Sequence, residues 1–108
     1  RVSVEDARNL RRFDAERFDV VFEKGTLDAV FLSGGVSRPR RREYLDMAVG
    51  EMARVLKRGG LVVSLSAPAT EYIYDAFDRA VVASSGEKMW QVIRDSREVY
   101  VTEDGFAR

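Results

Sequence analysis

The segment Phe18-Asp19-Val20-Val21-Phe22-Glu23-Lys24-Gly25-Thr26-Leu27-Asp28-Ala29 decides the architecture. Its first five residues are β-branched or aromatic apart from one acid, which predicts a strand. Gly25 breaks the extended run, Thr26 is placed to cap a helix, and Leu27–Leu32 reads as a short helix stopped by Ser33-Gly34-Gly35. Residues 36–42 read as a basic loop that holds Pro39 among Arg38, Arg40, Arg41 and Arg42. Leu45, Val49, Met52 and Leu56 then recur at helical spacing, with Ala48 and Val55 beside them and Asp46, Glu51 and Arg54 on the other face. Lys57 and Arg58 suit the negative end of that helix, and Gly59-Gly60 is expected to end it.

Leu61-Val62-Val63-Ser64-Leu65-Ser66 is almost continuously apolar, as a strand covered on both faces is. Pro68 breaks it, and Thr70 is expected to cap a helix carrying Ile73, Phe77 and Ala80-Val81. Residues 84–88 form a turn signal, and Met89–Val92 and Glu98–Thr102 are β-prone. On the other side of the deciding segment, Val2-Ser3-Val4 reads as a short strand and residues 6–13 as a polar loop or single helical turn. Strand, helix, strand, helix, strand predicts an α/β fold with right-handed crossovers and a mainly parallel sheet flanked by helices.

Composition narrows the chemistry. The 108 residues contain 18 Lys+Arg against 18 Asp+Glu, no His and no Cys, with 45% apolar residues. Disulfides, thiolate nucleophiles, sulfur-bound zinc and His-based triads are therefore excluded. A net charge of zero supplies no field to recruit nucleic acid or an anionic membrane. The apolar runs fall far short of the roughly 20 residues that span a bilayer. No signal peptide opens the sequence, so the expected compartment is the cytoplasm. The sequence is read as one domain over residues 1–108. Arg1 in place of an initiator Met suggests a piece of a longer protein.

In a parallel α/β sheet, ligands sit at the carboxyl ends of the strands. Asp6-Ala7, Glu23-Lys24-Gly25-Thr26 and Ser66-Ala67-Pro68 are expected there. Gly25 permits close backbone approach, and the next helix offers free N–H groups to an anion. Local readings of the same residues are simpler. Asp6 can cap a turn, Glu23-Lys24 can be a solvated loop, Asp28 can serve the first helical turn, and the arginine cluster can be a solvated loop or an anionic-partner patch.

The run Glu23-Lys24-Gly25-Thr26-Leu27-Asp28-Ala29, after its strand, resembles the fourth-strand motif of class I S-adenosylmethionine-dependent methyltransferases. The branch it resembles holds the lysine methyltransferases of translation elongation factor 1A, including a domain associated with endothelin-converting enzyme 2. Arg54-Val55-Leu56-Lys57-Arg58-Gly59-Gly60-Leu61 is similar to the turn before the family's fifth strand, with Arg58 where the usual Pro stands. The resemblance implies a partial Rossmann-like methyltransferase fold, the second half of the domain, with the N-terminal cofactor-loop half absent. It implies that S-adenosyl-L-methionine is the cofactor, that Asp6 and Ala7 hold its adenine, and that Lys24 lies beside its methionyl end. Glu23 is implied to be the catalytic residue at the mouth of the substrate channel. The acceptor would be a protein lysine, with a translation factor as the candidate partner. The remainder of the domain would be required for activity, and neither membrane nor nucleic acid is expected as a partner. A non-catalytic module that binds a protein or RNA partner through Arg38–Arg42 is the alternative, and a generic nucleotide-binding α/β domain is a third reading.

Overall fold

The β-branched run forms β1 (Phe18–Lys24), and Gly25, in the left-handed region at φ 74°, turns it directly into α1 (Thr26–Leu32). This computed structural model describes residue 3, residues 5–93 and, as backbone, residues 99–102. Most of the expected strand at Val2-Ser3-Val4, and Glu98 of the last β-prone piece, lie outside the described residues. Gly25 rather than Thr26 occupies the cap position of α1, and the helix start is instead closed by an acid from β1, described below.

The arginine-rich segment is not a loop. It forms the first two turns of α2 (Arg38–Val55), where Ser37 accepts the Arg40 N–H through its hydroxyl at 3.3 Å. Pro39 lies in the first turn, where its fixed φ and missing N–H cost nothing. The other end differs as well. Leu56 is already extended (φ −81°, ψ 142°), so α2 stops at Val55 and passes without a loop into β2 (Leu56–Leu65). Phe18 pairs with Leu56 and Val20 with Leu61, so the chain bulges between those pairs. Gly59 at φ 77° and Gly60 absorb the bulge. A methyl group on Gly60 would sit 2.7 Å from the Lys57 carbonyl and 3.2 Å from that of Asp19.

Ser66–Ala69 links β2 to α3 (Thr70–Arg79). Thr70 does not cap this helix; Ala69 holds the cap position and the Thr70 hydroxyl donates to the Ala67 carbonyl at 3.0 Å. The helix ends before Val81, which forms an isolated bridge with Lys88. β3 (Trp90–Ile93) and β4 (Val99–Thr102) complete a sheet of order β1-β2-β4-β3. β1 and β2 pair in parallel, while β4 is antiparallel to both β2 and β3. Three of the four described strands thus point one way, with one antiparallel strand inserted among them. This is a mixed α/β architecture consistent with a partial Rossmann-like methyltransferase fold.

The core lies between the sheet and the helices. Leu27, Leu45, Val49, Met52, Val62, Ile73, Phe77 and Trp90 are all buried, and Trp90 meets Phe77 edge-on at 4.9 Å. The apolar stripe of α2, Leu45, Val49 and Met52, packs as its spacing predicts, with Leu56 buried just beyond it in β2. The opposite sheet face differs from expectation: Leu61, Val63 and Leu65 are half-buried, and Val20 and Phe22 are 54% and 62% exposed. Among the described residues β2 is fully buried on one face and partly exposed on the other.

The bulge yields a direct test. Gly60→Ala should destabilise the chain by about 1–3 kcal/mol, because the contacts it creates are with backbone that cannot swing aside. A drop of several degrees in the thermal midpoint is expected, and an unchanged midpoint would contradict the tight bulge.

Candidate functional site

β1 and β2 end side by side, with Glu23 paired to Ser64 and Lys24 to Leu65. Gly25 extends the pairing by donating its N–H to the Leu65 carbonyl at 2.9 Å. Strand alternation sends Glu23 toward the helices and Lys24 away from them. Glu23 is 5% exposed, whereas Lys24 is exposed. One Glu23 carboxylate oxygen accepts the Leu27 N–H at 2.9 Å, and the other accepts the Ser64 hydroxyl. The carboxylate therefore does for α1 what a cap side chain normally does, and favours the positive end of that helix.

Asp28 makes the reciprocal connection. It is 6% exposed, and its two oxygens accept the N–H groups of Ala69 at 2.9 Å and Ala67 at 3.4 Å. The Ser66 and Thr70 hydroxyls meet at 3.0 Å in the same loop. Glu23 and Asp28 together lock the β1–α1 junction onto the β2–α3 junction. Both oxygens of Glu23, the residue expected at the mouth of a substrate channel, are thus occupied by donors from α1 and β2. Local sequence offers Asp28 only as an electrostatic aid to the first helical turn and does not mark Ser64 as part of a site. The signal for Ser64 is its place between Val63 and Leu65 in an otherwise apolar stretch.

Asp6 and Ala7 belong to a separate turn. The Asn9 N–H donates to the Asp6 carbonyl at 2.8 Å, and Asp6 Oδ1 accepts the Arg8 N–H at 2.9 Å. The Arg8 guanidinium pairs with Asp6 Oδ2 at 2.8 Å, and this hydrogen bonding holds the Asp6 carboxyl below its ordinary range. Arg8 also lies over the Tyr44 ring at 4.3 Å. Half of the Asp6 side chain remains exposed, and Ala7 packs partly against the core. No hydrogen bond or ion pair of the described residues joins Asp6 or Ala7 to Glu23 or Lys24.

The segment carrying Asp6 is clasped by α2. Glu51 accepts the Leu10 N–H at 2.6 Å, and Arg54 donates to the Phe13 carbonyl at 3.0 Å. Glu51 and Arg54 pair with each other at 2.7 Å, and Glu16 and Arg17 donate their N–H groups to the last α2 carbonyls at 2.8 Å each. The Arg54 guanidinium, followed by the Leu10 N–H, holds the Glu51 carboxyl below the usual range. The sequence showed Glu51 and Arg54 only as the polar face of a helix.

No family model matches the chain. The protein-lysine N-methyltransferase EFM4 of Saccharomyces cerevisiae is 31% identical to it, in a match covering 72% of this chain and 32% of that protein. The ubiquinone/menaquinone biosynthesis C-methyltransferase UbiE of Rhizobium johnstonii is 30% identical, over 92% of this chain and 42% of that protein. This chain is related to methyltransferases. It spans about a third of the yeast protein and about two fifths of the bacterial one. The relation agrees with the α/β architecture and with a class I methyltransferase origin of the strand-end motif. No helix among the described residues is long and apolar enough to cross a membrane.

Two tests address the site's framework. Glu23→Ala should cost about 2–4 kcal/mol, because it leaves the Leu27 N–H and the Ser64 hydroxyl buried without an acceptor. Combined with Ser64→Ala it should cost less than the two single losses together, as measured by urea unfolding. Glu51 titrates lower in the folded chain than in the unfolded one, so the unfolded state binds more protons between the two values. Its contribution should be complete above about pH 5 and should fade as the pH drops through the ordinary glutamate range near 4.3 and on through the folded value. Glu51→Gln should flatten that acid limb in urea midpoints; an equally steep limb in the variant would contradict the clasp.

Proposed function

We propose that this chain forms the second half of an S-adenosyl-L-methionine-dependent methyltransferase domain, acting in the cytoplasm on a lysine of a protein, with a translation factor as the candidate substrate. The observation that carries the reading is the sequence relation to a protein-lysine methyltransferase over 72% of the chain. The Glu-Lys-Gly-Thr-Leu-Asp-Ala run at the joined ends of β1 and β2 supports it. The remainder of the cofactor pocket, with a Gly-rich loop and an acid for the ribose, would come from residues beyond these 108.

The accessible residues fit the cofactor in part. Asp6 keeps half its side chain exposed and can exchange Arg8 for an adenine amino group, with the Ala7 N–H beside it. Lys24, exposed at the end of β1, is free to lie near the methionyl carboxylate. Glu23 fits as a positioning residue, holding Leu27 and Ser64 so that the backbone at Gly25 keeps its left-handed turn at the rim. Bound here, the cofactor would supply an activated methyl group on a sulfonium, so the protein is asked for alignment and exclusion of water rather than for His or Cys.

The test uses the intact protein. Titration with S-adenosylmethionine should show affinity about tenfold or more weaker in an Asp6→Ala plus Lys24→Ala variant. Unaltered affinity would sink both assignments. With radiolabelled cofactor and a lysate of the source cells, the label is expected on lysine of a protein. Label recovered on a small organic acceptor would move the protein to the carbon-methylating class. Failure of the intact protein to bind the cofactor would leave the non-catalytic reading.

A further inference from the structure

The reading above does not use the arginines that open α2. Arg38, Arg41 and Arg42 stand three and four residues apart and share one helix face. With Arg79 from the last turn of α3 they line a cavity of about 300 Å³. Its apolar wall is Phe31 and Tyr72, whose rings stack with centroids 4.5 Å apart. The Arg41 guanidinium lies over the Phe31 ring at 5.0 Å. Asp75 is the single acid in the lining.

This charge arrangement works against the fold. The first turn of α2 contains no acid, so three guanidinium groups crowd the positive end of an 18-residue helix. Arg38, Arg41 and Arg42 form no ion pair among the described residues. Arg79 is held by Asp46 at 2.6 Å, yet its Nε, like that of Arg41, is buried and makes no hydrogen bond. Buried donors without acceptors, around a concave surface with one aromatic wall, describe a receptor for carboxylates or other oxyanions. Charge complementarity identifies the kind of occupant. The chain as a whole is neutral, with 18 charges of each sign, so it supplies no overall field to gather a phosphate backbone around the cavity. Leu32 and Val36, 53% and 99% exposed, extend the neighbouring loop with apolar surface that suits a polypeptide.

We propose that this cavity docks an acidic segment of a partner polypeptide, whose Asp or Glu carboxylates are received by Arg38, Arg41 and Arg42 while its apolar groups rest on Phe31 and Tyr72. The inference stands independently of methyl transfer, since docking needs no cofactor.

Fluorescence polarisation of labelled hexaglutamate against the intact protein tests it. Binding should weaken as salt rises, and an Arg38→Gln plus Arg42→Gln variant should lose about tenfold or more in affinity. Both residues are exposed, so the helix is kept. An Arg11→Gln plus Lys57→Gln variant, which removes the same charge elsewhere, should bind as the parent does. Charge reversal by Arg38→Glu plus Arg42→Glu should transfer the preference to hexalysine. The proposal is overturned if hexaglutamate does not bind, if the two double variants weaken it equally, or if hexathymidylate binds more tightly than hexaglutamate. Because no cofactor is present, these outcomes are separate from those of the cofactor titration.

Discussion

Two buried carboxylates hold the molecule together at one end of its sheet. A carboxylate taken out of water costs several kcal/mol unless its oxygens are met by donors. Glu23 is met by Leu27 and Ser64, and Asp28 by Ala67 and Ala69. A helix as short as α1 is marginal alone, since its few hydrogen bonds scarcely offset the order they require. Here its first turn is capped from β1, and its own acid in turn fixes the loop before α3. The placement of α1 then sets where α2 crosses, because only the five residues 33–37 separate the two helices. The run from Glu23 to Asp28 is therefore structural before it is anything else, and any ligand at the rim meets a backbone already held in place.

The deciding strand was legible because β-branched and aromatic residues stop abruptly at Gly25, and α2 because its apolar positions keep a helical period. The ends of α2 were not. Pro39 punctuates a sequence equally well as a breaker or as a first-turn residue, and only the cap at Ser37 tells the two apart. At the other end, Gly59-Gly60 reads as a helix stop, yet the helix had already given way to a strand whose bulge needs those glycines. The site was half legible. The position of Glu23 at a strand end follows from sequence, but its inward aim does not, since Val20, Val21 and Phe22 are all apolar and hide which face the strand buries. Asp6 was readable as a turn residue or as a ligand, and the turn geometry is present whatever ligand it takes.

The clasp of Glu51 and Arg54 complements the carboxylate lock. One fixes the carboxyl ends of β1 and β2; the other seats residues 10–17 along α2 and leads into β1. Both use charged groups that accept or donate to backbone, where each bond satisfies a polar group that has no ladder partner. Irregular segments are held by side chains here, and the sheet and helix layers by apolar packing.

The half-covered sheet has a thermodynamic counterpart. The heat capacity gained on unfolding scales with the apolar surface newly exposed, and ordinarily amounts to about 12–15 cal/mol/K per residue. Val20 and Phe22 are already more exposed than buried in the folded chain and add little to that gain, and Leu61, Val63 and Leu65, partly exposed, add less than fully buried residues would. The stability of this chain should accordingly bend less with temperature than that of a two-sided α/β domain of equal length. Among the described residues, that curvature comes more from the sheet face that the helices cover than from the opposite one.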